Sequence, residues 1–122
     1  MEHETNRNQQ YHKELKKKMD EFAHLVYKIT KKFPPEERFG LTSQLRRAAI
    51  SVILNYIEGY ARQGEKVKQN FYRISYGSLK ESKYLVHFSL TEEFMNKQDY
   101  TKAISIADEI GAMLWSTFAA KD

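Results

Sequence analysis

The chain has 122 residues, 41% of them hydrophobic and 30% charged, with a formal net charge of +4 and a pI near 9.2. That length predicts one domain, and the scarcity of Gly and Pro, five and two, argues against an all-β fold with many tight turns. There is no Cys, which excludes disulfides, thiolate metal sites and cysteine nucleophiles and fits a reducing cytoplasm. The mild positive excess permits an acidic partner such as RNA without requiring one.

Residues 1–10 carry no apolar period and no secretory pattern, and are expected to form a flexible N-terminal segment ahead of a domain spanning 11–120. From Tyr11, Leu15, Met19, Phe22, Val26, Ile29 and Phe33 recur every three or four residues, a heptad-like seam. Lys13, Lys16, Lys17, Lys28 and Lys31 lie on the opposite face, read as solvated, with phosphate binding as the sharper alternative. Phe33-Pro34-Pro35 ends the first helix. Pro35-Glu36-Glu37 is suited to one short helical turn, with acids near the positive end of its dipole.

Thr42 is the expected N-cap of the second helix, the stretch the rest is organised around. Residues 48–57 of this helix are apolar on nearly every side, broken by a polar stripe of Arg47, Ser51, Asn55, Glu58 and Arg62. The longest apolar run, 48–54, is far shorter than the roughly 20 residues a membrane span needs. Gly64 is the expected left-handed cap. A third helix is predicted over 65–89, with Val67, Phe71, Ile74, Ser78, Ser82 and Leu85 as its seam and Gly77, Ser78 and Ser82 permitting close approach of another helix. Asn96 is the expected N-cap of a fourth helix, with Met95 and Tyr100 placed for a hydrophobic staple. Its seam is Tyr100, Ile104, Ala107, Ile110 or Gly111, Leu114 and Thr117 or Phe118. The predicted architecture is an all-α, up-down-up-down antiparallel four-helix bundle.

Chemistry is sparse. Carboxylate di-metal bundles need two Glu-x-x-His pairs plus two further Glu, and only Glu21 and His24 have that spacing. His87 reads as a partly buried polar residue rather than a ligand, so no metal and no cofactor are expected. Ser51 lies on a helix expected to be buried, out of reach of a substrate. Glu58 and Glu81 are the one conceivable carboxylate pair, but Glu58 can pair with Arg62 at i,i+4 and Glu81 with a base across the bundle. No catalytic residue is assigned. On the third helix Tyr72, Tyr76 and Tyr84 interleave with Arg73, Lys80 and Lys83, either as packing or as a stacking surface for single strands.

The run FPPEERFGLTSQLRRAAISV (33–52), followed by Asn55, Glu58-Gly59 and Arg62 and then GSLKE (77–81), resembles the 23S rRNA-intervening-sequence proteins. The resemblance covers about 15–118. It implies a cytoplasmic bacterial four-helix bundle associated with ribosomal RNA, similar to accessory proteins of diversity-generating retroelements. Those form five-membered barrels and bind nucleic acid and a reverse transcriptase. The family motif falls on Gln44, Arg47, Ser51, Asn55, Glu58, Gly59, Arg62, Gly77, Ser78 and Glu81. Where the family commonly reads S-I-P-S-N-I-A-E-G, this chain has Ile53, Leu54 and Ile57 in place of Pro, Ser and Ala, which predicts a straighter helix with a more apolar outer surface.

Three readings of function follow. The first is a non-enzymatic module binding structured or single-stranded RNA, with Arg46, Arg62, Lys66, Lys68, Arg73, Lys80 and Lys83 as phosphate contacts. The second is a scaffold docking helices of a partner protein without nucleic acid. The third, an enzyme, rests only on the carboxylates and His24. Arg47, Asn55 and Glu58 are expected to be mostly buried and bonded to the third helix around Glu81, as a structural network. Ala48, Ala49, Val52 and Tyr56 can face the bundle, leaving Ile50, Ile53, Leu54 and Ile57 for a homo-oligomer interface. The number five comes from the resemblance.

Overall fold

The computed structural model describes residues 6–119. Four helices follow one another: α1 (Asn6–Thr30), α2 (Leu41–Ala61), α3 (Glu65–Thr91) and α4 (Lys97–Phe118), with a single 3₁₀ turn at Pro35–Glu37 between the first two. Each helix packs against two others, in the cycle α1–α2–α3–α4–α1. With connections this short, neighbours run antiparallel, and the fold is the predicted four-helix bundle. No helix among the described residues is long and apolar enough to cross a membrane.

Among the described residues the first helix already runs from Asn6, five residues ahead of the apolar period, because residues 6–10 are polar and exposed and leave no periodic signal. Residues 1–5 and 120–122, parts of the expected flexible segment and domain end, lie outside the described residues. The α1 seam of Leu15, Met19, Phe22, Val26, Ile29 and Phe33 is buried throughout. Thr42 does not cap α2. It lies inside the first turn with its side chain buried, and Gly40 occupies the cap position. The Glu37 carboxylate from the 3₁₀ turn instead accepts the Leu41 N–H at 3.2 Å. Gly64 has the expected positive φ of 92°, but its ψ of 121° places it as an extended lead-in to α3 rather than a left-handed cap of α2. Asn96 caps α4 as expected, its Oδ1 accepting the Asp99 N–H at 2.7 Å.

Of the predicted α3 seam, Ser82 and Leu85 are buried and Phe71 and Ser78 half-buried, but the helix is rotated from the expected register. Val67 and Ile74 are exposed, while Tyr72, Ser75, Leu79, Ser82, Val86 and Ser89 are buried at spacings of three and four. Three of these six are serines, and each satisfies its hydroxyl. Ser75 donates to the Val52 carbonyl on α2 at 2.6 Å. Ser82 and Ser89 donate back to the carbonyls of Ser78 and Leu85, four residues earlier. A hydroxyl bonded this way can be buried at little cost, and its small volume lets the backbones close up.

The closure is tightest between α2 and α3, the most extensive helix pair. A Cβ added at Gly59 would fall 2.9 Å from the Phe71 Cβ and 2.9 Å from the ring of Tyr72. Tyr72 is buried and stacks on Tyr56 with ring centroids 5.0 Å apart, so neither neighbour can step aside. The buried rows are completed by Leu45, Ala48, Ala49, Val52 and Tyr56 of α2 and Ala103, Ala107, Ile110, Leu114 and Phe118 of α4.

Lys18 of α1 reaches Glu109 of α4 at 3.0 Å and Glu14 at 3.7 Å. The Glu109 hydrogen bond is the main cause holding its ammonium above the usual 10.5. A raised pKa gives a contribution fully present below 10.5 and lost as pH climbs through the folded value.

Replacing Gly59 by Ala should test the α2–α3 contact. Helix propensity alone favours Ala by about 1 kcal/mol, but overpacking costs about 1–3 kcal/mol. The expected outcome in urea denaturation is a net loss of stability; a gain would show that the two helices can separate without penalty.

Candidate functional surfaces

The polar stripe of α2 and the motif residues of α3 do not form a buried network. Arg47 and Glu81 are both exposed, and neither makes a hydrogen bond or ion pair among the described residues. Glu58 is exposed and paired with Arg62 of its own helix. Asn55 is half-buried, but its Nδ2 donates to the carbonyl and hydroxyl of Ser51, within α2. Among the described residues, the one polar link from this stripe to α3 is Ser51 Oγ to Ser78 Oγ, 2.8 Å. The expectation of burial fails because the stripe lies on the flank of α2 beside α3, and only its small members reach between the backbones. The long side chains splay outward into solvent.

The same pairing separates the two candidate carboxylates. Ser51 lies level with Ser78, and Gly59 with Phe71 and Tyr72. Glu58 and Glu81 therefore sit about ten residues apart along the antiparallel axes, on the order of 15 Å at 1.5 Å per residue. That distance cannot be shared by one reacting bond. His24 is exposed, 3.4 Å from Asp20 of the next turn down. His87 is exposed rather than partly buried, its Nδ1 2.8 Å from the Tyr100 hydroxyl. Among the described residues no group of three or more His, Cys, Asp or Glu is placed to hold a metal ion.

The outer face of α2 and α3 is instead apolar and open. Leu54 is 57% exposed, Ile57 44% and Ile74 52%, and Ile50 is half-buried. Ile53, expected at the same surface, leans inward and packs against the core. Tyr84 and Phe88 extend the exposed apolar surface along α3. Gly77 sits between Ile74 and Glu81 with nothing within 4 Å of where a Cβ would be, so the bare backbone of α3 is accessible at the middle of this face.

The seven basic candidates divide by what they already do. Arg46 donates from Nε to the Thr30 hydroxyl at 2.7 Å and lies 4.6 Å from the centre of the Tyr27 ring. It therefore ties α2 to the end of α1. Lys68 donates to the Tyr60 carbonyl at 2.8 Å, closing the C-terminal turn of α2. Arg62 is engaged by Glu58 and lies 5.1 Å from the Phe71 ring centre. Lys66, Arg73 and Lys80 are exposed on α3. Lys83, half-buried, pairs with Asp108 of α4 at 2.6 Å. Arg73, Tyr76, Lys80 and Lys83, spaced three, four and three, run along the flank of α3 that faces α4. Sequence reading named these residues on α3 but missed Trp115, which α4 brings to the same groove. Its signal was there in principle, as a large aromatic one place outside the α4 seam.

A second aromatic cluster joins three helices at the other end of α2. His12 of α1 bonds through Nδ1 to the hydroxyl of buried Tyr56, and its ring lies 4.7 Å from that of Tyr60. Lys13 and Lys16 of the lysine face border the hollow beside it.

Fold and surfaces together define a four-helix bundle whose polar motif faces outward and whose outer α2–α3 face is apolar. The chain belongs to the 23S rRNA-intervening sequence protein family, whose model matches residues 12–116. Its fold is similar to the crystal structure of a protein of unknown function from the S23 ribosomal protein family of Bacteroides thetaiotaomicron VPI-5482. The two share 22% identity over 87% of this chain and 96% of that one, with a TM-score of 0.81. No curated protein matches the chain significantly.

Arg46→Ala should separate structural from surface bases. It removes a hydrogen bond to buried Thr30 and is expected to cost about 1 kcal/mol in thermal or urea unfolding. Lys66→Ala should stay within about 0.5 kcal/mol of the parent. Equal stabilities for the two variants would return Arg46 to the pool of free surface cations.

Proposed function

We propose that the protein is a non-enzymatic module that binds RNA through the basic flank of α3, and that it does so as a homo-oligomeric ring. The observation that carries the RNA reading is the line of Arg73, Lys80 and Lys83 beside Tyr76, on a flank separate from the apolar outer face. Lys66 extends the same helix towards its N-terminus. Guanidinium and ammonium groups held on a rigid helix make phosphate contacts that position a strand without reading its sequence. The excess of positive charge favours encounter with a polyanion. Membership of a family described by a ribosomal RNA intervening sequence makes ribosomal RNA the first candidate.

The association reading rests on the apolar outer face. Exposed Leu54, Ile57 and Ile74 are worth roughly 1.5–3 kcal/mol each when fully buried. Bare backbone at Gly77 lets an incoming helix approach closely. A head-to-tail ring covers one face of every protomer with a different face of its neighbour and leaves none over. The count of five is carried from the family resemblance. A second reading, a scaffold docking a partner protein's helices with no nucleic acid, is favoured by the same apolar face.

Gel-shift titration with ribosomal RNA fragments at two salt concentrations tests the first part. Affinity should fall as salt rises, and each of Arg73→Ala, Lys80→Ala and Lys83→Ala should reduce the logarithmic salt slope by about 0.7–0.9. No binding at low salt rejects the RNA reading; a stoichiometric protein partner on protein free of nucleic acid supports the scaffold.

Light scattering after size exclusion tests the second part. The expected mass is five times the 14.4 kDa of one chain, reduced to one chain by Leu54→Asp or Ile74→Asp with helix content retained. A monomeric parent rejects association, and a dimer or tetramer rejects the ring. Ile53→Asp should instead unfold the protomer, since Ile53 packs on the core.

A further inference from the structure

Phe39 is 89% exposed, against 64% for Tyr84, the next most exposed large apolar side chain among the described residues. Its backbone is nonetheless tightly held. Pro34 and Pro35 restrict the chain ahead of it. The N–H groups of Glu37, Arg38 and Gly40 donate to the carbonyls of Pro34, Pro35 and Glu37 at 2.9, 3.1 and 3.0 Å. Buried Phe33 anchors one side of this turn, and the Glu37 carboxylate ties the other to the start of α2. The turn therefore holds an aromatic side chain out in water on a fixed base. The Arg38 guanidinium lies 5.8 Å from the centre of its ring, so ring and cation project together, and Glu36 is exposed two residues before Arg38. A bulky ring on a base that is fixed before contact loses little freedom on docking, and aromatic side chains of this kind anchor interfaces.

The outer α2–α3 face has the complementary relief. At Gly77 a Cβ would meet nothing within 4 Å. Ile74 and Glu81, three residues before and four after, stand on either side of this gap in the side-chain surface of α3. Leu54 is exposed on the same face. Because Ser51 meets Ser78, Arg47 on α2 is level with Glu81 on α3, on helices whose axes pack about 8–10 Å apart. The gap is thus accompanied by one charge of each sign. The turn carries the opposite set beside its ring, Arg38 and Glu36.

We propose that Phe39 of one copy of the chain inserts at Gly77 of the next, with Arg38 meeting Glu81 and Glu36 meeting Arg47. This rests on the association reading and names the second face that a head-to-tail ring requires. Phe39 lies at one end of the bundle and Gly77 near the middle of α3, so a protomer cannot fill its own gap. The contact joins two different faces, which is the heterologous arrangement that closes into a ring. An uncharged partner helix would cover Leu54 and Ile74 but offer nothing to Arg47 and Glu81, whereas the turn of a second copy carries both signs.

The test is light scattering after size exclusion on the whole chain, with circular dichroism and urea unfolding of every variant. Phe39→Ser changes a side chain with few neighbours in the protomer, and Gly77→Gln fills a site that is open to solvent and replaces a poor helix former. Both should keep the parent's helix content and resist urea at least as well as the parent. Each is expected to reduce the mass from that of the parent assembly to that of one chain. Arg38→Glu and Glu81→Arg should each lower the mass as well, and the two together in one chain should restore it. The parent's mass in Phe39→Ser or in Gly77→Gln, or no recovery in the double variant, would overturn this contact and leave association standing. A parent that runs as one chain would overturn both.

Discussion

The close approach of α2 to α3 is the constraint on which the rest of the molecule depends. Gly59 has no side chain at the point where Phe71 and Tyr72 press in. Ser75 reaches a backbone carbonyl across the gap, and Ser51 meets Ser78 hydroxyl to hydroxyl. Each contact works only at short range, so each requires the others. Small and hydroxylated residues here do what Leu and Ile do elsewhere in the core: they fill the space the backbones leave and satisfy their own polar atoms. Among the described residues no buried side-chain nitrogen or oxygen lacks a partner.

That contact also sets which surfaces remain. With α3 rotated so that its serines face inward, Ile74, Tyr84 and Phe88 are left outside. With α2 held against α3 along its small residues, Leu54 and Ile57 point away from the core. The apolar outer face is thus a consequence of close packing inside, and it is available for association. The basic flank lies on the other side of α3, towards α4, where Asp108 and Trp115 are added to it. One helix supplies two surfaces of different chemistry because its two flanks meet different neighbours.

The long polar residues of the family motif are not internal to the bundle. Arg47 and Glu81 reach solvent from the apolar outer face, near bare backbone at Gly77. Charged groups set among exposed apolar ones fix orientation and partner choice more than raw affinity.

The bundle itself was legible in the sequence. The α1 seam, the Pro34-Pro35 break, the Asn96 cap and the inward row of Ala48, Ala49, Val52 and Tyr56 are local signals, written in spacing and in turn chemistry. The family motif was legible as well, but its burial was not, since a polar stripe on a helix flank reads the same whether it enters a contact or splays beside it. Three features were decided only in the tertiary structure. The register of α3 was set by Ser75 and Ser89, which are buried at little cost because each is satisfied on a carbonyl, and which lie outside the predicted seam. The cap of α2 passed from Thr42 to Gly40 and Glu37 because the preceding 3₁₀ turn delivers a carboxylate to the Leu41 N–H. Trp115 met Tyr76 and Lys80 because α4 packs beside α3, a juxtaposition between helices that no spacing along one of them encodes.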